Sequence, residues 1–405
     1  MSADTLPGLL VERSGTNPNA VALRFFRYGK WNDVTYADLH SKAAAIGSGL
    51  ASKGVSRGNV VVIIAEDGPF CIAAELGAQG IGASVLALDA GLAADEIRQR
   101  IRDSQAVCAL VGDQEQFDKV DEGRDQLPSL KMLIVDATRG IRGLDVANRP
   151  DRETTLTVVQ LEAGADASQW DLHVKSVGAD DAARFGSRSA THSGVLGEAL
   201  RLIDTFAITR KDVICVLHSI SNPIEHGLMV AGPLLTGSVL HFRGRASSQQ
   251  ALRQVQPTLV HATPEWLERV SAETEASTAR TSGIKRLALS KGLVRKAASS
   301  TMLSGRRSVS PVRLFGIGAT LAVLFFFLVT SSANDVMRLL VAVLIVGVVA
   351  AVMISSGFGV VGPLRRRYGL VRCRAVIAER TDLRGADLLG ALNVPLIQVG
   401  PEVLS

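Results

Sequence analysis

Between residues 20 and 135 the apolar positions change period from one segment to the next. Residues 21–27 (VALRFFR) and the stretch beyond a Gly29-Lys30 turn predict a hairpin that ends at Thr35. Tyr36, Ala37 and Asp38 then open a helix with Leu39, Ala43, Ile46 and Leu50 at helical spacing, stopped at Gly54. Val60–Ile64 is a continuous apolar run of strand length, as expected when both faces of a sheet are covered. An Ala-rich helix over 69–80, a strand over 83–87, a helix over 95–103 and strands over 106–111 and 131–135 follow. Strands alternating with helices predict an α/β fold with doubly wound, mostly parallel sheets.

Residues 148–183 are polar and less regular. A second α/β block follows: a helix over 195–206, a strand over 213–217, a helix over 223–235 and a strand over 238–242. The segment 251–255, a strand over 258–261 and a helix over 264–270 complete it. Strands over 372–378 and 395–398, with a helix over 386–392 between them, resume the pattern after a long interruption.

That interruption holds two uncharged apolar runs, 314–333 and 339–361, separated by a short break with Asn334, Asp335 and Arg338. As a helix, each is long enough to cross a hydrocarbon core of roughly 30 Å. They predict a two-helix transmembrane hairpin. From 276 to 334 there is no Asp or Glu, while Arg306, Arg307 and Arg313 precede the first run and Arg365, Arg366 and Arg367 follow the second. The positive-inside rule therefore predicts a multi-pass protein of the cytoplasmic (inner) membrane with both flanks in the cytoplasm, and anionic lipids would attract the same residues. Residues 284–297 read equally as a basic amphipathic helix on the interface or as a solvated loop. Gly316, Gly318 and Ala319, and Gly347 and Ala350, give the two runs candidate helix-packing faces toward an integral-membrane protein complex.

The organisation implied is an N-terminal lobe over 1–147, an irregular linker over 148–183 and a second lobe over 184–275. A basic juxtamembrane segment over 276–313, the hairpin over 314–361 and closing strands over 362–405 follow. The formal net charge of +5 sits mainly around the hairpin, which favours membrane apposition and, with three Trp and three Tyr, excludes nucleic acid as a partner. Residues 1–15 lack a basic region followed by an apolar core, so no cleavable signal peptide is expected. Four scattered cysteines (Cys71, Cys108, Cys215, Cys373) and seven histidines without metal-ligand spacing predict reduced thiols and no metal site.

The order of these pieces resembles the large N-terminal domain of adenylate-forming (AMP-binding) enzymes, long-chain fatty acyl-CoA synthetases in particular. RFFRYGKWNDVTYADLHSKAAAIGSGLASKGVSRGNVVVIIAED is similar to the family's opening hairpin, helix and first strand. FCIAAELGAQGIGASVLALDAGLAADEIRQRIRDSQAVCALV is similar to its next helices and strands. VQPTLVHATPEWLERV, with Pro264 at the matching proline, and LRRRYGLVRCRAVIAERTDLRGADLLGALNVPLIQVG continue the order.

The resemblance implies three features that the sequence spells differently. A Ser/Thr/Gly-rich phosphate loop ending in Lys belongs after residues 180–183. Here RFGSRSATHSGVLGEAL offers Gly186, Ser187, Ser189 and Ser193 without a lysine, though Thr191-His192 matches the loop's end. Arg184 or Arg188 offers a phosphate contact, against the alternative of a polar turn capping the next helix. Asn222 stands where the family carries His, with Glu225 matching in type. Residues 378–381 (AERT) replace the glycine-rich adenine contact, and Gly400-Pro401-Glu402 is where the magnesium-supporting segment begins. On this basis we expect no catalytic residues, no cofactor and no enzyme. The expected role is that of a membrane-anchored, inactive accessory or scaffold subunit of a lipid transport or lipid metabolism complex. The alternatives are a module that binds or senses fatty acid or acyl-CoA, and a residual long-chain fatty acid–CoA ligase.

Overall fold

The computed structural model describes residues 3–136, 155–163, 165–186, 191–217, 221, 226–242, 248–279, 361–378, 389, 392 and 394–398. The chain divides into two compact units. The first is Met1–Thr263 with Arg372–Arg380 and Ile397–Ser405, and the second is Pro264–Val371 with Thr381–Leu396.

Helix α1 (Leu6–Thr16) leads into the hairpin of β1 (Val21–Arg27) and β2 (Lys30–Thr35). Tyr28 and Gly29 both hold positive φ, at 53° and 77°, the two-residue turn whose twist matches paired strands. Helix α2 (Tyr36–Ser52) starts on a capping box. The Thr35 hydroxyl accepts from the Asp38 N–H at 3.1 Å, and the Asp38 carboxylate accepts from the Thr35 N–H at 3.0 Å. Strand β3 (Val60–Ile64), helix α3 (Pro69–Gly80), β4 (Ser84–Leu88), α4 (Ala94–Ser104), β5 (Cys108–Val111), α5 (Gln114–Asp121) and β6 (Met132–Val135) follow with the predicted alternation.

Residues 155–163 and 165–183 hold more regular structure than their polar sequence suggests. They supply β7 (Thr155–Thr157), α6 (Val158–Ala163) and α7 (Trp170–Ser176). Val158, Leu161, Trp170 and Val174 join the core from this stretch, and all four are buried. Trp170 donates its indole N–H to the Gly77 carbonyl at 3.1 Å, where Gly47 of α2 and Gly77 of α3 let the two helices approach closely.

Strands β3 to β7 form a five-stranded sheet in the order β4-β3-β5-β6-β7, parallel throughout. Helix α8 (His192–Phe206) precedes β8 (Val213–Val216), β9 (Val239–Phe242) and β10 (Leu259–His261), which join β11 (Ala375–Ala378) and β12 (Leu396–Gln398). The second sheet is seven-stranded, in the order β12-β11-β10-β8-β9-β1-β2, so the opening hairpin pairs with β9 and not with the sheet nearest to it in sequence. The helix expected over 223–235 appears as a π-helical turn, Gly227–Ala231, continuing into Gly232–Thr236, while 222–225 lie outside the described residues. The helix expected over 264–270 runs further, Pro264–Ala279. The helix expected over 386–392 falls outside the described residues except at Leu389 and Leu392.

Among the described residues no helix is long and apolar enough to cross a membrane. The runs over 314–333 and 339–361, and with them Arg306, Arg307, Arg313, Gly316, Gly318, Ala319, Gly347 and Ala350, lie outside the described residues except at Val361. Arg365, Arg366 and Arg367 form the last turn of a short helix, Val361–Arg367.

Candidate functional site

In open parallel sheets, ligand crevices form beyond the carboxyl ends of the strands at the point where strand order reverses. In the seven-stranded sheet that point is β8, since the chain steps from β8 to β9 on one side and then returns to place β10 on the other. His241 of β9 and His261 of β10 flank the end of β8, and both are buried. Burial pushes the His241 imidazole down to about 4, so it is neutral there at physiological pH.

Beyond β8, Leu217 and Ser221 are described and the chain resumes at His226, which belongs to a buried polar cluster built from three separate stretches of chain. Glu75 and Gln79 lie one turn apart on α3, both wholly buried within an otherwise small and apolar helix. The Glu75 carboxylate accepts from His226 Nε2 at 2.6 Å and from Gln79 Nε2 at 2.9 Å through the same oxygen, and Gln79 also donates to the Ala183 carbonyl at 3.0 Å. Arg184, also buried, continues a short bridge in which residues 183–185 pair alongside Val85 of β4.

The charges of this cluster balance. Burial alone would raise Glu75, but His226, Arg184 and Gln79 outweigh it and hold the carboxyl below its ordinary value. Burial lowers His226, with Arg184 adding to that and Glu75 opposing, so His226 is a neutral imidazole donating to a carboxylate. Burial also lowers Arg184, against Glu75 and Glu198, yet a guanidinium starting from 12.5 stays charged. The core of the cluster is therefore Arg184 cation against carboxylate, in a setting that would strongly penalise either charge alone.

Helix α8 starts next to it. The Thr191 hydroxyl caps the helix by accepting from the Gly194 N–H at 3.1 Å. The His192 and Ser193 N–H groups go to the Asp181 and Ala179 carbonyls, at 3.1 and 2.8 Å, and Val195 N–H bonds the Thr191 carbonyl. The first turn thus spends its donors within the chain, so the α8 N-terminus itself offers no free N–H to a phosphate. Arg57 fixes the preceding turn by donating to the Asp181 carboxylate and to the Ser176 carbonyl. His192 is fully buried, its Nδ1 accepting from the Leu6 N–H at 3.4 Å, and burial drives it down to about 4. Among the described residues, three buried polar atoms of this region have no hydrogen-bond partner: Glu75 Oε2, Gln79 Oε1 and His192 Nε2.

Of the residues singled out in the sequence, Arg184, Gly186, Thr191, His192 and Ser193 come together here, with Gly186 at φ 74°. Ser187, Arg188, Ser189, Asn222 and Glu225 lie outside the described residues. Glu75, Gln79 and His226 were not anticipated. The available signal was a Glu and a Gln at i and i+4 inside PFCIAAELGAQG, a helix otherwise small and apolar.

Residues 10–181 match the family model described as AMP-binding enzyme. A 3-hydroxybenzoate–CoA ligase of Aromatoleum sp. (strain CIB) is 36% identical over 83 residues, 20% of this chain and 16% of that protein. A 2-succinylbenzoate–CoA ligase of Bacillus cereus is 29% identical over 118 residues, 29% of this chain and 23% of that protein. Among solved structures, an anthranilate CoA ligase in complex with anthranoyl-AMP aligns with a TM-score of 0.57 at 16% identity, covering 66% of this chain and 51% of that one. A long-chain-fatty-acid-CoA ligase from Archaeoglobus fulgidus aligns with a TM-score of 0.57 at 14% identity, covering 67% and 53%. The chain thus spans about half the length of these solved structures.

These matches correct the expectation of a chain that is not an enzyme, because the family is one of enzymes and these relatives are named as ligases. The expectation rested on the spelling of short loops. Of those, 187–190, 222–225, 379–381 and 400–402 lie outside the described residues, so no geometry stood behind it. Residues 10–181 thus carry an AMP-binding domain, and the described sheets have the fold of solved acyl- and aryl-CoA ligases.

Proposed function

We propose that this chain takes part in activating a carboxylic acid as an acyl-adenylate on the way to a CoA thioester, and that it does so at the cytoplasmic membrane. In that reaction a carboxylate oxygen bonds to the α-phosphorus of ATP as pyrophosphate leaves. The CoA thiol then displaces AMP at the acyl carbon. The observation that carries the reading is the match of residues 10–181 to AMP-binding enzymes, supported by the buried cluster of Arg184, Glu75 and His226. Within the chain, Arg184 lies three residues before 187–190, where the resemblance implies contact with the nucleotide phosphates. Glu75 and Glu198 hold it electrostatically, so its role is to position that segment. The apolar runs over 314–333 and 339–361 supply the membrane attachment, and the acyl chain of a membrane lipid precursor is the substrate class that such attachment favours.

The test is ATP–pyrophosphate exchange by the full chain, purified from membranes in mild detergent, with fatty and aromatic acids offered in turn. Carboxylate-dependent exchange, reduced at least tenfold in Arg184→Ala, is the expected result. No exchange with any acid, either alone or with the membrane proteins that accompany it in purification, would refute the proposal. The same preparation identifies an integral-membrane partner by its stoichiometric recovery.

A further inference from the structure

Strands β10 and β11 are neighbours in the sheet, with Leu259, Val260 and His261 in register with Ala375, Val376 and Ile377. The chain between them forms most of the second unit and contains both apolar runs. It leaves along the helix Pro264–Ala279 and returns through the helix Val361–Arg367. These two helices meet. The Thr274 hydroxyl and the Tyr368 hydroxyl share a hydrogen bond at 2.7 Å, and both reach the Val270 carbonyl, at 2.7 and 3.5 Å. Tyr368 is 1% exposed, and Leu370, Leu267, Val270 and Thr274 around this contact are buried. A looser ion pair, Arg367 to Glu273 at 3.9 Å, adds to it at the surface.

We propose that this contact is a clasp at the root of a two-pass membrane insertion, holding both ends of the insertion at one face of a phospholipid bilayer. The proposal rests on the membrane attachment put forward above and goes further, since it names the residues that join the two ends. A buried tyrosine hydroxyl is costly to leave unpaired, so the pairing with Thr274 selects the closed arrangement over one in which the two helices separate. Chain that leaves and returns through a closed contact crosses a bilayer an even number of times. Two runs of transmembrane length satisfy that count. Arg366, which is exposed, and the half-exposed Arg367 end the returning helix, where cations meet phospholipid headgroups.

The native cysteines Cys71, Cys108, Cys215 and Cys373 are all buried, so a single introduced surface cysteine can be labelled selectively. The full chain carrying Ala272→Cys, Arg366→Cys or Asn334→Cys is reconstituted in sealed vesicles of phosphatidylglycerol and phosphatidylethanolamine and treated with an impermeant maleimide. Positions 272 and 366 should label to the same fraction, and position 334 to the complementary fraction. Complementary labelling of 272 and 366 would overturn the clasp while leaving the insertion intact. Complete labelling of all three, with none protected by the bilayer, would remove the membrane attachment itself, whatever the exchange assay gives. In the same vesicles Tyr368→Phe should speed amide hydrogen exchange in residues 266–274 about tenfold, with the five-stranded sheet unchanged. Unaltered exchange there would also overturn the clasp.

Discussion

His192 makes the folded chain acid-sensitive in a window that can be worked out in advance. It is 0% exposed at the first position of α8, and burial lowers it from 6.5 to about 4, although Asp181 and Glu75 pull the other way. Between those two values the unfolded chain binds a proton that the folded chain refuses, so stability falls as the pH is lowered. The loss begins near pH 6.5 and is complete below about pH 4. At about 1.4 kcal/mol per pH unit the interval is worth about 3 kcal/mol. His241, lowered to about 4 as well, and His226 titrate in the same direction, so the wild-type profile is the sum of several groups. The contribution of His192 is isolated by His192→Asn, whose side-chain oxygen can still accept from the Leu6 N–H. Urea unfolding of the full chain, followed by Trp fluorescence at about pH 7.5, 6.5, 5.5 and 4, supplies the comparison. The stability of the wild type relative to the variant should fall by about 3 kcal/mol from pH 7.5 to pH 4. Identical pH dependence in the two proteins would refute the reasoning, since it would mean that His192 protonates in the folded state as readily as in water.

Glu75→Leu should destabilise by about 3–5 kcal/mol in the same urea assay, because it strips the buried Arg184 of a counter-charge and leaves the His226 N–H unpaired. Glu75→Gln, which keeps the shape and an acceptor, should cost less, and equal costs would show that the charge is unimportant. Gly77→Ala should cost about 1–3 kcal/mol or more, since its Cβ would stand 2.6 Å from the Ala43 carbonyl oxygen and force α2 and α3 apart. A thermal midpoint within a degree of wild type would contradict that close approach. Arg374→Ala should cost about 2–4 kcal/mol and expose β11 to proteolysis. Arg374 bonds the Asp212 carboxylate at 2.9 Å and the Phe206 carbonyl at 2.6 Å, and it helps to hold Asp212 below its ordinary value. Unchanged protease resistance would show that the strand is held by its sheet bonds alone.

The opening hairpin, α2, β3 and α3 lie within a residue or two of where the apolar periodicity put them, and Pro69–Gly80 coincides with the predicted helix. Each of these elements is set by a contrast between core and solvent repeated within about a dozen residues, which one chain segment carries by itself. The order of such segments was enough to recognise the superfamily. The two apolar runs are legible for the same local reason. Spelling alone misled on activity, because what a loop does depends on the groups that the fold brings beside it. No local pattern places Glu75 2.6 Å from His226, 151 positions away, or turns β1 and β2 toward β9. Nor does any bring β10 and β11 together across the long insertion. The short elements β7, α6 and α7 went unread because three or four apolar side chains, Trp170 chief among them, suffice to dock them once α2 and α3 present a matching surface. Periodicity records whether a side chain faces the core. Its partner across the core is decided only when the sheets and helices pack, where burying a charge or hydrogen-bonding group without a counterpart is too costly to persist.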